Sequence, residues 1–272
     1  MLYRMAFTDQ LFEITKDFSG TIGLYAVRFT DGFSLSSNAE ETFPAASVIK
    51  LHLLIAALQR VQNGQLDLKT RIALPESEIV LGSGLLQKLE VGALLTLKDY
   101  LTLMIIVSDN TATNMVIDFL GGVESINAQL ETWDLGSTRV VGKLMLPPER
   151  KNEAQKAGKM HEIVPLEVVR ILEKLHQGQL LNPELTALAL EILKKQEYTE
   201  MIGRLLPTGT ITATKSGQIM GVRNDVGFVF SSRAYAVAIC SKDCTDLRYH
   251  IDNEAIWTIA KVSKLIFDTM QK

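Results

Sequence analysis

Apolar and polar positions follow two rhythms along this chain. Near both ends, short β-branched and aromatic runs are broken by turn residues, and through the middle apolar residues recur at helical spacing. Residues 8–18 have helical periodicity. TIGLYAVRF (21–29) reads as a strand, and Asp31-Gly32 turns it back into FSLSS (33–37) as a hairpin. From 45 to about 200 the pattern is helical. Thr96 and Asp99 make a capping box ahead of LKDYLTLMIIV, and Gly121-Gly122 ends the following helix. Pro165 and Pro183 stand where first-turn prolines belong, the second behind an Asn182 cap, and Gly178 closes the helix between them. After Gly209 the rhythm returns to strands: 210–217, 225–232 and 234–242, in an antiparallel meander. A last amphipathic helix spans 253–270, capped by Asp252.

Strands at both ends and helices between them predict one antiparallel sheet built from the two sets of strands. Terminal helices cover it, and the central helices make a second, all-helical lobe. The expected division is 1–44 with 205–272 as an α/β lobe and 45–204 as the helical lobe, with the active site in the cleft between them.

Composition narrows the function. The chain has 272 residues, 47% of them hydrophobic, enough for a substantial core and too apolar for a disordered state. Its net charge of −3 leaves no basic surplus for nucleic acid or an anionic membrane. The run LMIIV (103–107) is far too short to span a bilayer. The start has no long apolar block and no small-residue cleavage site, so it does not read as a signal peptide. The expected setting is the cytoplasm, or outside it with a leader removed. Cys240 and Cys244 read as a strand thiol and a loop thiol. His52, His161, His176 and His250 are scattered, so no metal or other cofactor is expected.

The chemistry begins at PAASVIKLHLL (44–54), where a lysine sits in an apolar run three residues after a serine. On a helix, Ser47 and Lys50 lie one turn apart on one face. Such an S-x-x-K pair is weak alone, and so is each of two later triplets. Ser108-Asp109-Asn110 breaks two helical segments, and Lys215-Ser216-Gly217 ends a predicted strand. Together and in this order they resemble the set found in class A β-lactamases and penicillin-binding proteins, with Ser216 in place of a threonine. VLGSGLLQKL (80–89), the stretch 95–122 and RNDVGFV (223–229) extend the resemblance over about 20–268. It implies an α+β fold with a five-stranded antiparallel sheet flanked by the N- and C-terminal helices, plus an all-helical lobe.

The resemblance also implies roles. Ser47 is the nucleophile. Lys50 is its base, a buried lysine being able to lose its proton through desolvation and a neighbouring cation, with Lys215 as that cation. Ser108 passes the proton to the leaving nitrogen. Asn110 binds the substrate's side-chain amide, and Asn152 is a further substrate-binding residue. Lys215, Ser216 and Arg223 bind its carboxylate, and the backbone N–H groups of Ser47 and Gln218, next to Gly217, form the oxyanion hole. The ligand is a small molecule, a β-lactam or a D-Ala-D-Ala-type peptide, with no nucleic-acid partner and a monomer favoured.

The loop LMLPPERKNEAQKAGKMHEIVP (144–165) departs from the class A pattern. Counted back from Pro165, the deacylating glutamate falls on Pro148, with Glu149 one residue late and the catalytic candidate for activating the hydrolytic water. The Arg–Asp pair that clamps the family's loop falls on Leu146 and His161. Four activities therefore stay open: a β-lactamase, a DD-peptidase or esterase, a β-lactam sensor acylated once, and more distantly a serine glutaminase.

Overall fold

The computed structural model describes residues 2–272, with side chains from Phe7 onward. Along the chain, α1 (Leu2–Thr15) leads to β1 (Thr21–Arg28), β2 (Ser34–Ser37) and the short β3 (Phe43–Pro44). A 3-10 turn over Ala46–Val48 runs directly into α2 (Ile49–Gln62). Next come β4 (Arg71–Ala73), β5 (Leu94–Thr96), α3 (Leu97–Ile106), α4 (Asn110–Phe119) and α5 (Gly122–Thr132). Then follow α6 (Glu153–Lys156), β6 (Glu162–Ile163), α7 (Pro165–His176) and α8 (Pro183–Lys194). Last are β7 (Ile211–Ile219), β8 (Val222–Phe230), β9 (Tyr235–Lys242) and α9 (Glu254–Met270).

The chain forms two compact units. The first takes the segment up to Val48, Glu162–Glu173 and Tyr198–Lys272; the second takes Ile49–His161 and Lys174–Glu197. The expected boundaries lacked 162–173 in the first unit. That segment is drawn in by two long-range links: Phe43 pairs with Ile163 across β3 and β6, and Leu166 N–H donates to the Ala39 carbonyl at 2.9 Å. Neither leaves a local pattern in the sequence.

In the first unit the described residues form the five-stranded antiparallel sheet, in the order β2-β1-β9-β8-β7. The meander β7-β8-β9 joins the N-terminal hairpin through β9 and β1, in register from Thr21 opposite Lys242 to Arg28 opposite Tyr235. One face is sealed by α1 and α9: Phe7, Leu11, Ile256, Ile259, Val262 and Ile266 pack with Leu24, Ala26, Val237 and Ile239. Each of the larger side chains among them, once buried, contributes about 1.5–3 kcal/mol. The cap of α9 is Asn253 rather than Asp252: its Oδ1 accepts from Ala255 N–H at 3.0 Å. The same side chain donates to the Asp246 and Arg248 carbonyls, which ties the helix start to the preceding loop and explains the choice.

In the second unit α2 is buried from Ile49 through Leu58, apolar there except for Lys50 and His52, as a central helix is. The capping box at Thr96 and Asp99 and the Asn182 cap are both formed. Among the described residues no helix is long and apolar enough to cross a membrane.

Candidate active site

The first unit holds the serine and the end of the sheet. Ala46 has φ +45°, a left-handed conformation that costs a non-glycine residue about 1–2 kcal/mol, and this kink sets Ser47 in the 3-10 turn ahead of α2. Strand β7 passes directly behind the turn. A β-carbon on Gly217 would stand 2.9 Å from the Ser47 nitrogen and 3.0 Å from the Val48 nitrogen, so only glycine lets the strand approach this closely. Asn224, opposite Gly217 in the ladder, secures the same turn. Its Nδ2 donates to the carbonyls of Pro44 at 2.8 Å and Ala45 at 3.2 Å, while its Oδ1 accepts from Ser241 N–H. Within RNDVGFV the sequence alone marks no role for Asn224; the alternation of β8 against β7 is the signal that points to it.

Lys215 is fully buried, and its ammonium donates to the Ser216 carbonyl at 2.7 Å. Burial pulls its pKa down to about 7 against the opposing pull of Asp225 and Glu200. Asp225, opposite Ser216, accepts from Ile202 N–H at 2.9 Å, and burial raises it to about 7. Arg223 is buried too, and burial lowers its pKa. Its guanidinium donates to the carbonyls of Ile219, Val222 and Arg248 and lies 4.9 Å from the Tyr249 ring centre. Those donors face backbone, so Arg223 contributes positive field more than a free fork.

The second unit holds the lysine and the interhelical triplet. Lys50, second residue of α2, is completely buried. Its Nζ donates to the Ser108 carbonyl at 2.7 Å, to Asn110 Oδ1 at 3.0 Å and meets Ser108 Oγ at 3.1 Å. The last contact runs in either direction, because a hydroxyl both gives and accepts a proton. Ser108 carries φ +53°, a second strained kink that ends α3 and turns the hydroxyl onto the amine.

Asp109 holds this arrangement together. Its Oδ1 caps α4 on Ala112 N–H at 2.8 Å, and its Oδ2 accepts from Leu85 and Leu86 N–H at 2.7 and 2.8 Å. The loop at 82–86 is thereby fastened to the triplet. A side chain at Gly84 would overlap the Asp109 carboxylate, and a β-carbon at Gly82 would come within 2.7 Å of Asn110 Nδ2.

The 141–161 loop is held without the Arg–Asp clamp. Asn114, one turn beyond Asn110, bonds Leu144 through both its N–H and its carbonyl, at 2.7 and 3.0 Å. Lys143 bridges Glu78 and Asp118, and Arg150 binds Glu78 and the Ser77 carbonyl. His161 Nδ1 accepts from Val141 N–H at 2.9 Å. Burial, with the Lys50 charge adding to it, lowers its pKa to about 4, so the ring is neutral and carries its proton on Nε2. Asn152 caps α6 through Oδ1 and donates its Nδ2 to the Val141 carbonyl, so both ends of its amide serve the loop. Glu149 lies exposed in the 3-10 turn Pro148–Arg150.

Comparison with known proteins agrees with these features. A family model described as the Beta-lactamase enzyme family matches residues 6–270. The chain is 25% identical to Beta-lactamase SME-1 of Serratia marcescens, covering 96% of this chain and 87% of that protein. It is 26% identical to the extended-spectrum beta-lactamase PER-1 of Pseudomonas aeruginosa, covering 95% and 85%. Among solved structures, a variant of PBP-A in an acyl-enzyme complex with penicillin G has a TM-score of 0.86 at 27% identity, over 98% of this chain and 97% of that one. The chain belongs to the β-lactamase enzyme family. It is a serine hydrolase of the type that opens β-lactam amides.

Proposed function

We propose that Ser47 attacks the β-lactam carbonyl, with Lys50 as its general base, and that release of the acyl group limits turnover. The observation that carries this reading is the buried Lys50 amine in contact with the Ser108 hydroxyl. A serine hydroxyl is a weak nucleophile until a base takes its proton, and such a base contributes about 10²–10⁴ in rate. Ser108 then relays the proton to the nitrogen that leaves as the ring opens. Asn110, whose Oδ1 is bonded to Lys50, keeps its Nδ2 for the substrate's side-chain carbonyl. The N–H groups of Ser47 and Gln218 stabilise the oxyanion, each such donor being worth ~3 kcal/mol of barrier. Lys215, Ser216 and Arg223 receive the substrate's acid group.

Slow release follows from the loop. The residue that Asn114 pins is the apolar Leu144, and Glu149, the acid nearest the family's glutamate position in sequence, is exposed. Neither supplies a held base for the hydrolytic water. D-Ala-D-Ala-type peptides are the second substrate class this chemistry accommodates.

The test is intact-protein mass spectrometry during reaction with a chromogenic cephalosporin. A burst of one equivalent, an adduct on Ser47 and slow continued hydrolysis support the proposal. Full turnover by Ser47→Ala contradicts it.

A further inference from the structure

Leu144, Met145 and Leu146 form an apolar run in the second unit, and the middle residue is the one left uncovered. Leu144 is half-buried and pinned by Asn114, Leu146 is buried, and Met145 between them is 61% exposed. Met145 also has φ +53°, a left-handed conformation that a bulky side chain rarely adopts. Backbone strain of this kind persists only where the surrounding structure imposes it, and it gathers at sites that bind ligands.

Gly82 shows what Met145 stands beside. A β-carbon at Gly82 would lie 2.7 Å from Asn110 Nδ2, 3.7 Å from Met145 Cγ and 3.9 Å from Met145 Cε. The amide offered to the substrate and the thioether therefore flank one glycine. Gly82 has φ +110°, which glycine alone adopts freely, so no side chain separates the two. The loop that carries Gly82 is fixed on Asn110. Asn110 N–H donates to the Ser83 carbonyl at 3.0 Å, and Gln87 Nε2 donates to the carbonyls of Gly82 and Gly84. Leu81, next along the chain, is 74% exposed and adds a second apolar side chain to this rim.

We propose that Met145 is a specificity-determining residue: beside Asn110, it packs against the group that the substrate carries beyond its side-chain amide, and it favours an aryl or other bulky apolar group there over a small or charged one. The favoured substrates are acid-bearing β-lactams with such a side chain. This rests on the assignment of Asn110 Nδ2 to the substrate's side-chain carbonyl. Methionine suits the task, because its unbranched, polarizable thioether adapts to apolar groups of different shape and makes favourable contacts with aromatic rings. A hydrophobic contact the size of a methylene or two discriminates by about tenfold at the low end of its range, which suits an open rim.

The experiment measures kcat/KM for three chromogenic cephalosporins that share one nucleus and acid group: a phenylacetamide, an acetamide and the free amine. Met145→Gln keeps the length of the side chain but makes its end polar, and Met145→Leu keeps its apolar bulk. The phenylacetamide-to-acetamide ratio falls about tenfold in Met145→Gln and stays within about twofold of the starting value in Met145→Leu. An unchanged ratio in Met145→Gln overturns the proposal, as does an equal fall in both variants, which would mark an effect of loop structure alone. The acetamide-to-amine ratio in Asn110→Ala tests the underlying assignment. If that ratio is untouched, the side-chain amide binds elsewhere, and the assignment and the proposal fail together. If it falls while Met145→Gln leaves the phenylacetamide-to-acetamide ratio in place, only the role of Met145 fails.

Discussion

Gly217 and Ser47 are in backbone contact: a β-carbon on the glycine would stand 2.9 Å from the serine nitrogen, closer than real β-carbons come. The sheet edge and the Ala46–Val48 turn are therefore one rigid piece. The third residue of the K-S-G triplet is glycine because of the space it must leave free.

Substituting Gly217→Ala forces β7 and the Ala46–Val48 turn apart by a few tenths of an ångström or more. A misplacement approaching 1 Å at the reacting group costs on the order of 10²-fold in rate. The expected outcome is a folded protein whose acylation rate constant, measured by stopped-flow with a chromogenic cephalosporin, drops by about that factor. Wild-type acylation in this variant would show that the contact has no bearing on the reaction.

The pH dependence follows from Lys215. Its folded-state pKa is brought down to about 7, so the lysine is charged below neutrality and loses its charge above it. Acylation by a chromogenic cephalosporin carrying its free acid is predicted to decline as pH rises through about 7, while acylation by the methyl ester of the same compound lacks that limb. Asp225 is one of the charges that hold the Lys215 value up, so Asp225→Asn moves the alkaline limb to lower pH. The check is kcat/KM against pH for both substrates in both proteins; a limb that stays in place counts against Lys215 as the titrating group.

Much of this was legible in the chain itself. Periodicity placed the hairpin, the meander, the capping box at Thr96 and the Asn182 cap, because each is a local signal within a few residues. The S-x-x-K, S-D-N and K-S-G order pointed to Ser47, Lys50, Ser108, Asn110 and Lys215 as candidates, and the structure brings Lys50, Ser108 and Asn110 into direct contact. The supports were not legible. Asp109 gripping the loop at Leu85 and Leu86, Asn224 holding the Pro44 carbonyl, and β3 pairing with β6 all join residues far apart in sequence. Asn152 was misleading for a different reason: an asparagine ahead of Glu153-Ala154-Gln155 suits a helix cap as well as a ligand, and in this loop it makes the cap.

Glu149 offers a sharp negative prediction. Because its carboxylate is exposed, Glu149→Gln should leave the lifetime of the acyl-enzyme within about twofold of the original. Adduct decay followed by mass spectrometry is the measurement. Marked accumulation of adduct in the variant would assign deacylation to this residue after all.

The most direct test of the central claim is the acylation rate constant of Lys50→Met, a change that preserves the length and apolar stem of the side chain but removes the amine. The account predicts a loss of about 10²–10⁴ in that rate constant, with the fold unchanged by circular dichroism. Acylation at the original rate in the variant would contradict it.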